Sequence, residues 1–219
     1  MDANVERQST LNRKTALVLG ASGAVGRALV NCLCADVRYH KVVCLVRSPL
    51  SNNQYCDPER KLEPLVIDFQ YLQDYQGYFT VDHVYCCLGT TLKKAGSKKA
   101  FRYVDFELVH IVAQLSRAQR VKSFVWISSI GANAKSKSFY LRVKGELENA
   151  VLNMPQLNSA AAVRPSLIDA HRQGDTRRAE ALVIKVLYAI GPILLGAFKK
   201  YRPVKPIQVA KEMVRLQTF

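Results

Sequence analysis

Features that indicate a secreted or metal-binding protein are missing from this chain of 219 residues. None of its six cysteines belongs to a C-x-x-C pair, and the cysteines and histidines form no zinc motif, so no metal site is predicted. Residues 1–14 are polar and lack the apolar core of a signal peptide. We therefore expect reduced thiols and a cytoplasmic protein.

Long apolar segments are also scarce. The longest, Ala181–Phe198, is interrupted by Lys185 and by Gly191-Pro192, which makes it a poor candidate for a membrane-spanning helix. Two short helices, or a helix and a turn, with buried apolar faces fit the pattern better. Peripheral membrane contact by this segment is the less favoured alternative.

Acidic residues are few: 17 Asp and Glu stand against 32 Lys and Arg, which leaves a formal net charge of +15. A field of this sign attracts anions, such as a phosphorylated cofactor, an acidic substrate, nucleic acid or an anionic membrane. The basic residues come without interleaved aromatics or a nucleic-acid motif. The pattern favours a soluble basic surface over a nucleic-acid partner.

A glycine turn near the start of the chain indicates nucleotide binding. The apolar run Ala16–Leu19 predicts a buried strand, glycines at 20, 23 and 26 follow, and Ala24–Leu33 is compatible with a helix. A helix that begins in such a turn offers free N–H groups to a pyrophosphate. The spacing is G-x-x-G-x-x-G, so a purely structural turn remains the alternative. The predicted cofactor contacts here are Gly20, Ser22, Gly23, Ala24, Val25 and Gly26.

The second predicted strand, Lys41–Val46, ends at Arg47-Ser48. In a dinucleotide-binding fold this position faces the adenosine ribose, where an acidic residue would bind the 2′-hydroxyl of NAD and an arginine the 2′-phosphate of NADP. No Asp or Glu ends this strand. We therefore predict NADP(H), with Arg47 and Ser48 as contacts.

A third strand is predicted at Leu62–Ile67, and Pro64 places it near an edge of the sheet. Asp68-Phe69 follows and is a further candidate cofactor contact. The Asp68 carboxylate could accept a hydrogen bond from the adenine amino group, or it could cap the turn that follows. The sequence leaves these two roles open.

The middle of the chain alternates strands with helices. Asp82–Leu88 predicts a fourth strand that ends at a small-residue turn, Gly89-Thr90-Thr91, and Val121–Ile127 predicts a fifth. Between them, helical periodicity over Ala100–Gln119 predicts one amphipathic helix. This alternation predicts a doubly wound parallel sheet in a single α/β domain over residues 14–219, after a flexible N-terminus over residues 1–13. Lysines at 93, 94, 98 and 99 are interpreted as a solvated basic loop.

A possible reactive group follows the fifth strand. Ser128-Ser129 ends that strand, and Tyr140 and Lys144 lie four residues apart, on one face of a predicted helix. A nearby ammonium favours the phenolate and so lowers the pKa of a tyrosine, and the lysine could also hold the nicotinamide ribose. A serine hydroxyl can hydrogen-bond a substrate carbonyl, so these residues suit hydride transfer with tyrosine as the proton donor. Ser129 is favoured over Ser128.

The order of these motifs resembles the short-chain dehydrogenase/reductase family, and among its atypical and extended branches the Tat-interacting-protein-type oxidoreductases. The segments similar to that group are Cys86–Thr91, Val104-Asp105, Ser128–Ala132, Tyr140–Glu148 and Arg164–Leu167. The resemblance implies a Rossmann-like, three-layer α/β/α fold, NADPH binding and Tyr140 as proton donor. It also implies cofactor contacts at Leu88, Gly89, Thr90, Pro165 and Leu167.

We expect no large C-terminal substrate domain of the kind that sugar-modifying extended members have. Residues 91–99 and a small helical segment from Ile168 onward should then form the substrate side. Arg172 and Arg177 are further candidate contacts there. The sequence predicts an NADP(H)-dependent oxidoreductase that acts on a small carbonyl or alcohol. An NADPH-binding regulatory or scaffold protein with little turnover is the alternative, and both a monomer and a homodimer remain open.

Overall fold

The computed structural model describes residues 13–169 and 203–218, in which six parallel strands form one sheet in the order β3-β2-β1-β4-β5-β6. The strands are β1 Lys14–Leu19, β2 Tyr39–Val46, β3 Leu62–Val66, β4 His83–Cys86, β5 Ser123–Ile127 and β6 Ala160–Val163. The helices are α1 Ala24–Ala35, α2 Leu92–Ala95, α3 Lys98–Arg102, α4 Leu108–Ala118, α5 Phe139–Leu152 and α6 Pro206–Arg215. Asn52–Gln54 and Phe69–Phe79 are 3₁₀ segments, and Tyr103–Glu107 is a π-helical turn.

The predicted fold class, a Rossmann-like doubly wound sheet, is confirmed. β1 lies at the centre, where Val18 is in register with Cys44 of β2 and Tyr85 of β4. These strands are nearly continuous apolar runs because helices cover both faces of the sheet. Within the part of the chain that the structure describes, β3 pairs only with β2, so it is an edge strand, as Pro64 predicts.

Two apolar layers enclose the sheet. On one face, α1 and α6 pack over β1, β2 and β4, with Leu29, Leu33 and Met213 fully buried. On the other face, the long 3₁₀ segment, α4 and α5 pack over the same sheet, with Phe79, Trp126 and other large side chains fully buried. The fold is therefore the three-layer α/β/α arrangement expected.

The predicted helix over Ala100–Gln119 is not one uninterrupted α-helix. A π-helical turn separates α3 from α4, and within it the N–H of Leu108 bonds the carbonyl of Tyr103. β4 also ends at Cys86, before the predicted Leu88. Residues 87–90 consequently form a loop that can bend toward the end of β1.

The described C-terminal part consists of a short bridge and one helix. Ile168 forms a parallel bridge with Val204, and α6 then packs on α1. The predicted flexible N-terminus up to residue 12 and the segment 170–202, including Ala181–Phe198, Arg172 and Arg177, lie outside the described residues. Among the helices of residues 13–169 and 203–218, none has the length and apolar character needed to cross a membrane.

Candidate functional site

A cavity of about 1350 Å³, called the crevice below, opens at the carboxyl ends of the strands. It lies beside β1, where the chain order reverses between β2 and β4, which is the usual ligand position in doubly wound folds. Of the residues predicted from the sequence, nine line the crevice: Gly20, Ser22, Gly23, Ala24, Arg47, Phe69, Leu88, Gly89 and Thr90.

The glycine turn brings two loops and a helix end together. Gly20 has φ +84°, and a Cβ there would lie 2.7 Å from the backbone carbonyl carbon of Cys87, so only glycine fits. Helix α1 begins at Ala24 without a side-chain cap, and no acidic residue stands in its first turn. Its first N–H groups are therefore available to an anion in the crevice. Val25 and Gly26 are buried and do not line the crevice. They lie in the first turn of α1, so contact through their backbone N–H groups stays a prediction.

Two cations line the part of the crevice next to β2. Arg47 follows β2 and is exposed, while Ser48 beside it does not line the crevice. Arg27 of α1 also lines it and donates from Nη1 to Oε1 of Gln54 over 2.9 Å. The sequence reasoning missed Arg27. A basic residue near a helix N-terminus opposes the helix dipole, and that signal could have indicated an anion there.

The residues after β3 divide between two roles. Phe69 lines the crevice and is buried. Asp68 does not line it, and its carboxylate accepts a hydrogen bond from the backbone N–H of Gln70 over 2.9 Å. The sequence left open whether Asp68 accepts a hydrogen bond from adenine or caps the turn. Its hydrogen bond from Gln70 is that of a turn cap.

The far wall of the crevice is formed around the π-helical turn. Tyr103, Val104 and Leu108 line the crevice, although none was predicted to do so. Asp105 lies behind them, 1% exposed, in an ion pair with Lys144 whose Oδ1–Nζ distance is 2.7 Å. An acid on the buried face of an amphipathic helix requires a partner, and that signal could have identified Asp105.

The four predicted catalytic residues do not line the crevice. Lys144 is 3% exposed, and its ammonium donates to Asp105 and, over 3.4 Å, to the carbonyl of Ile127. Tyr140 lies one turn earlier on α5, half-buried, with its ring centroid 5.6 Å from that of Phe101. The helix therefore places both residues on one face, as predicted, but Lys144 is engaged by a carboxylate.

The two serines after β5 differ in environment. Ser128 is buried, and its hydroxyl has no hydrogen-bond partner among the described residues. Ser129 is half-buried, and its hydroxyl donates to the carbonyl of Ile130 over 3.3 Å. The side chain with unsatisfied hydrogen-bonding capacity is thus Ser128, whereas the sequence reasoning favours Ser129.

Pro165 and Leu167, which the resemblance implies as cofactor contacts, do not line the crevice. The Pro165 carbonyl accepts from the N–H of Ile130 over 3.0 Å, and the Leu167 carbonyl accepts from Val204 over 2.9 Å. Of the four lysines at 93–99, Lys94 lines the crevice. Ala95 also lines the crevice, so residues 91–99 contribute to its wall, and their role on the substrate side stays a prediction.

Neither thiol nor metal chemistry is supported at the site. Cys87 lines the crevice and contacts the sulfur of Met213 at 3.7 Å, and burial raises the pKa of its thiol well above the ordinary value. Burial likewise raises the pKa of Cys86 to about 12, so both thiols stay protonated at neutral pH. Residues 13–169 and 203–218 contain no group of three or more His, Cys, Asp or Glu that could hold a metal ion.

Comparisons with known proteins indicate an NAD(P)H-binding protein. A family model described as NAD(P)H-binding matches residues 20–179. "Protein HTATIP2" of Rattus norvegicus is 33% identical over 176 residues, covering 80% of this chain and 71% of that protein. "Protein FMP52-1, mitochondrial" of Scheffersomyces stipitis is 29% identical over 190 residues, which cover 83% of this chain and 80% of that protein. A solved oxidoreductase of the short-chain dehydrogenase/reductase family from Burkholderia thailandensis superposes with TM-score 0.70 at 21% identity. The superposition covers 94% of this chain and 86% of that chain, and at this identity it supports the fold only.

The relatives correct one expectation. The lack of a signal peptide led us to expect a cytoplasmic protein, but the yeast relatives are named mitochondrial. The prediction of a cytoplasmic location is therefore wrong. A missing signal peptide argues against secretion only, since import into an organelle depends on other sequence features.

Proposed function

The chain belongs to the NAD(P)H-binding family as an atypical short-chain dehydrogenase/reductase resembling HTATIP2, and we propose that it is an NADP(H)-dependent oxidoreductase. Its substrate in this proposal is a small carbonyl compound or alcohol, and its functional domain spans residues 14–219. The bound nicotinamide supplies or accepts the hydride. The chain's own residues bind the dinucleotide, orient the substrate and move the proton.

The observation that carries the proposal is the crevice at the uncapped start of α1. Gly20 and Gly23 of the turn line the crevice, and α1 begins there at Ala24 without a side-chain cap. The first N–H groups of α1 would therefore be available to a pyrophosphate. Arg27 and Arg47 line the same crevice where the adenosine ribose of such a ligand would lie. Among the described residues that line the crevice there are two guanidinium groups and no carboxylate. This composition favours the 2′-phosphate of NADP(H) over the 2′-hydroxyl of NAD(H).

We assign proton transfer to Tyr140. In the reducing direction its phenol O–H gives a proton to the substrate oxygen while the carbonyl carbon receives the hydride, and bulk water then restores the phenol. Lys144 follows one turn later on α5, and in this proposal its ammonium would hold the nicotinamide ribose. A serine hydroxyl donates to the substrate oxygen. Ser128, whose hydroxyl has no partner among the described residues, and Ser129 are the two candidates.

A second function, an NADPH-binding regulator or scaffold with little turnover, is favoured by one observation. The Lys144 ammonium forms an ion pair with the Asp105 carboxylate, with 2.7 Å between Nζ and Oδ1. A lysine paired in this way stabilises a neighbouring phenolate less than an unpaired lysine would. This arrangement is compatible with tight cofactor binding and slow chemistry.

The test combines binding with turnover. Isothermal titration calorimetry with NADPH and NADH measures cofactor preference, and NADPH absorbance is followed with a panel of quinones, aldehydes and ketones. NADPH binding with consumption by one compound class supports the oxidoreductase, whereas tight binding without consumption supports the regulator. Absence of heat with either cofactor would reject both functions.

For the location, we propose mitochondria, because the FMP52 relatives carry that word in their names. Subcellular fractionation of cells that express the full chain tests this proposal. Recovery of the protein with a mitochondrial matrix or membrane marker supports it, and recovery with another compartment's marker contradicts it.

A further inference from the structure

Two segments of the chain form a basic surface beside the crevice. Residues 91–102 and 130–143 contain eight Lys and Arg and no Asp or Glu. Lys94, Ala95 and Ala100 of the first segment line the crevice, so this surface adjoins its wall. Cations that stand together without acidic neighbours in sequence repel one another, and an anion that binds among them relieves this repulsion.

Three aromatic rings connect this surface with the candidate proton donor. The buried Phe101 ring of α3 has its centroid 5.8 Å from that of Phe139 and 5.6 Å from that of Tyr140. Phe139 and Tyr140 are the first two residues of α5, and both are half-buried. The two basic segments therefore meet at the residue to which we assign proton transfer.

Two cations from different helices lie over the same ring. Lys98 Nζ of α3 is 5.5 Å from the centroid of Phe139, and Arg142 Cζ of α5 is 5.7 Å from it. A cation within about 6 Å of a ring centroid is attracted by the face of the ring. The Phe139 ring thus holds a lysine and an arginine near each other although their charges repel.

The contacts of Arg142 orient its guanidinium without neutralising this pair of cations. Its Nη1 donates to the carbonyl of Ser136 over 3.0 Å, and its Nε lies 4.0 Å from Oε1 of Glu146. The same carboxylate pairs with Arg102 at 2.5 Å, so one negative charge faces two guanidinium groups. A guanidinium has five N–H donors, and the described contacts of Arg142 leave some of them for a ligand.

We propose that Lys98 and Arg142 form an anion subsite for the substrate, and that the substrate is a carbonyl compound that also carries a carboxylate group. This inference rests on the proposed oxidoreductase function. A planar carboxylate matches the donor fork of a guanidinium, and the lysine adds a compact positive charge.

The position of the subsite on α5 suits a small substrate. Arg142 follows Tyr140 by two residues, which is about 3 Å along the helix axis. One molecule can therefore place its carboxylate at the subsite and its carbonyl oxygen at the phenol of Tyr140. The Phe139 ring offers an apolar surface for the carbon atoms between these two groups.

The experiment compares 4-carboxybenzaldehyde with its methyl ester, which has the same aldehyde and ring but no negative charge. The full chain is first titrated with NADP⁺, and calorimetry then measures the dissociation constant of each probe. The wild type should bind the acid about tenfold more tightly than the ester. Higher ionic strength should weaken binding of the acid and leave binding of the ester nearly unchanged.

Lys98→Gln and Arg142→Gln should each raise the dissociation constant of the acid about fivefold, as for loss of one exposed charge pair. The dissociation constant of the ester should stay within about twofold. Lys99→Gln is the matched control, because Lys99 is the next residue of α3 and is exposed like Lys98. It should change binding of the acid by less than about twofold. If Arg142→Gln does not fold, Lys98→Gln at its exposed position decides the test.

Equal binding of acid and ester by the wild type, or binding of neither by the NADP⁺ complex, would overturn the anion subsite. Equal effects of Lys98→Gln and Lys99→Gln would also overturn it, since they are the result expected for a solvated basic loop without a defined site. Failure of the proposed function has a different result, because the wild type then gives no heat with NADP⁺ itself.

Discussion

A Cβ atom placed on Gly26 would overlap the backbone carbonyl oxygen of Gly20, so α1 reaches the end of β1 only because residue 26 has no side chain. Gly23 lies between them in sequence but is less crowded, since a Cβ there would lie 3.3 Å from the same oxygen. The three glycines of the turn therefore have different physical roles. Gly26 is required for helix–sheet packing, and Gly20 for the turn itself.

Gly26→Ala should lower the free energy of unfolding by about 2 kcal/mol, the usual cost of forcing an extra methyl group into a packed contact. The displaced helix start should also weaken NADPH binding. Urea denaturation and calorimetry measure the two effects. Gly23→Ala serves as the control and should change stability by less than about 1 kcal/mol. Equal stability of both variants would contradict the packing argument.

The two arginines of the crevice should determine cofactor choice. Arg27→Gln and Arg47→Gln each remove a cation from the crevice lining, and each should weaken NADPH binding by about tenfold. Binding of NADH, which has no 2′-phosphate, should change little. Lys135→Gln removes one exposed positive charge outside the crevice lining and is the control for overall charge. Parallel loss of NADPH and NADH affinity would argue against recognition of the 2′-phosphate.

Replacing Tyr140 separates chemistry from binding. Tyr140→Phe keeps the ring that packs near Phe101 and removes only the phenol O–H. Turnover should fall by about 10²–10⁴, the usual contribution of a general acid, while the NADPH dissociation constant stays the same. Steady-state kinetics and calorimetry on the same preparation provide both values. A variant with wild-type turnover would exclude Tyr140 as the proton donor.

Asp82 should make stability depend on pH. Its carboxylate accepts hydrogen bonds from the N–H and hydroxyl of Thr15 at 2.8 and 3.0 Å and pairs with Lys122 at 2.7 Å. Burial alone would raise the pKa of Asp82, but the hydrogen bonds from Lys122 and Thr15 prevail and lower it to about 2. Because the folded-state pKa lies below the unfolded one, folding gains from the ionised form above about pH 4.

The stabilisation from Asp82 should therefore be about 2 kcal/mol at pH 7 and disappear as pH falls from about 4 to 2. Asp82→Asn should be less stable than the wild type at pH 7, and the difference should shrink toward pH 2. Denaturant unfolding at both pH values measures it. Asp74→Asn, at an exposed position, is the control and should show no such convergence. A difference independent of pH would refute this explanation.

Local sequence patterns predict much of the fold. The strand that precedes Gly20, the helix that follows it and the edge position of Pro64 all appear in the structure. These features depend on apolar runs, on the spacing of glycines and on the N–H group that proline lacks. Each of them influences only a few neighbouring residues, so it can be interpreted without knowing the rest of the fold. The same holds for the shared helix face of Tyr140 and Lys144.

The surroundings of the candidate site depend on contacts between distant residues. Asp105 and Lys144 are 39 positions apart, and Thr90 and Asp105 are separated by 15. The local pattern around Asp105 also predicted a regular helix, and a π-helical turn replaces it.

The sequence by itself determined the α/β class, the glycine turn between β1 and α1 and the position of Tyr140 and Lys144 on one helix, because periodicity and turn chemistry are local. Only the tertiary structure decided that Lys144 is paired with Asp105 and that Arg27 joins Arg47 in the crevice. Burial and charge pairing depend on which surfaces meet when the sheet and its helices pack, and no short stretch of sequence contains that information.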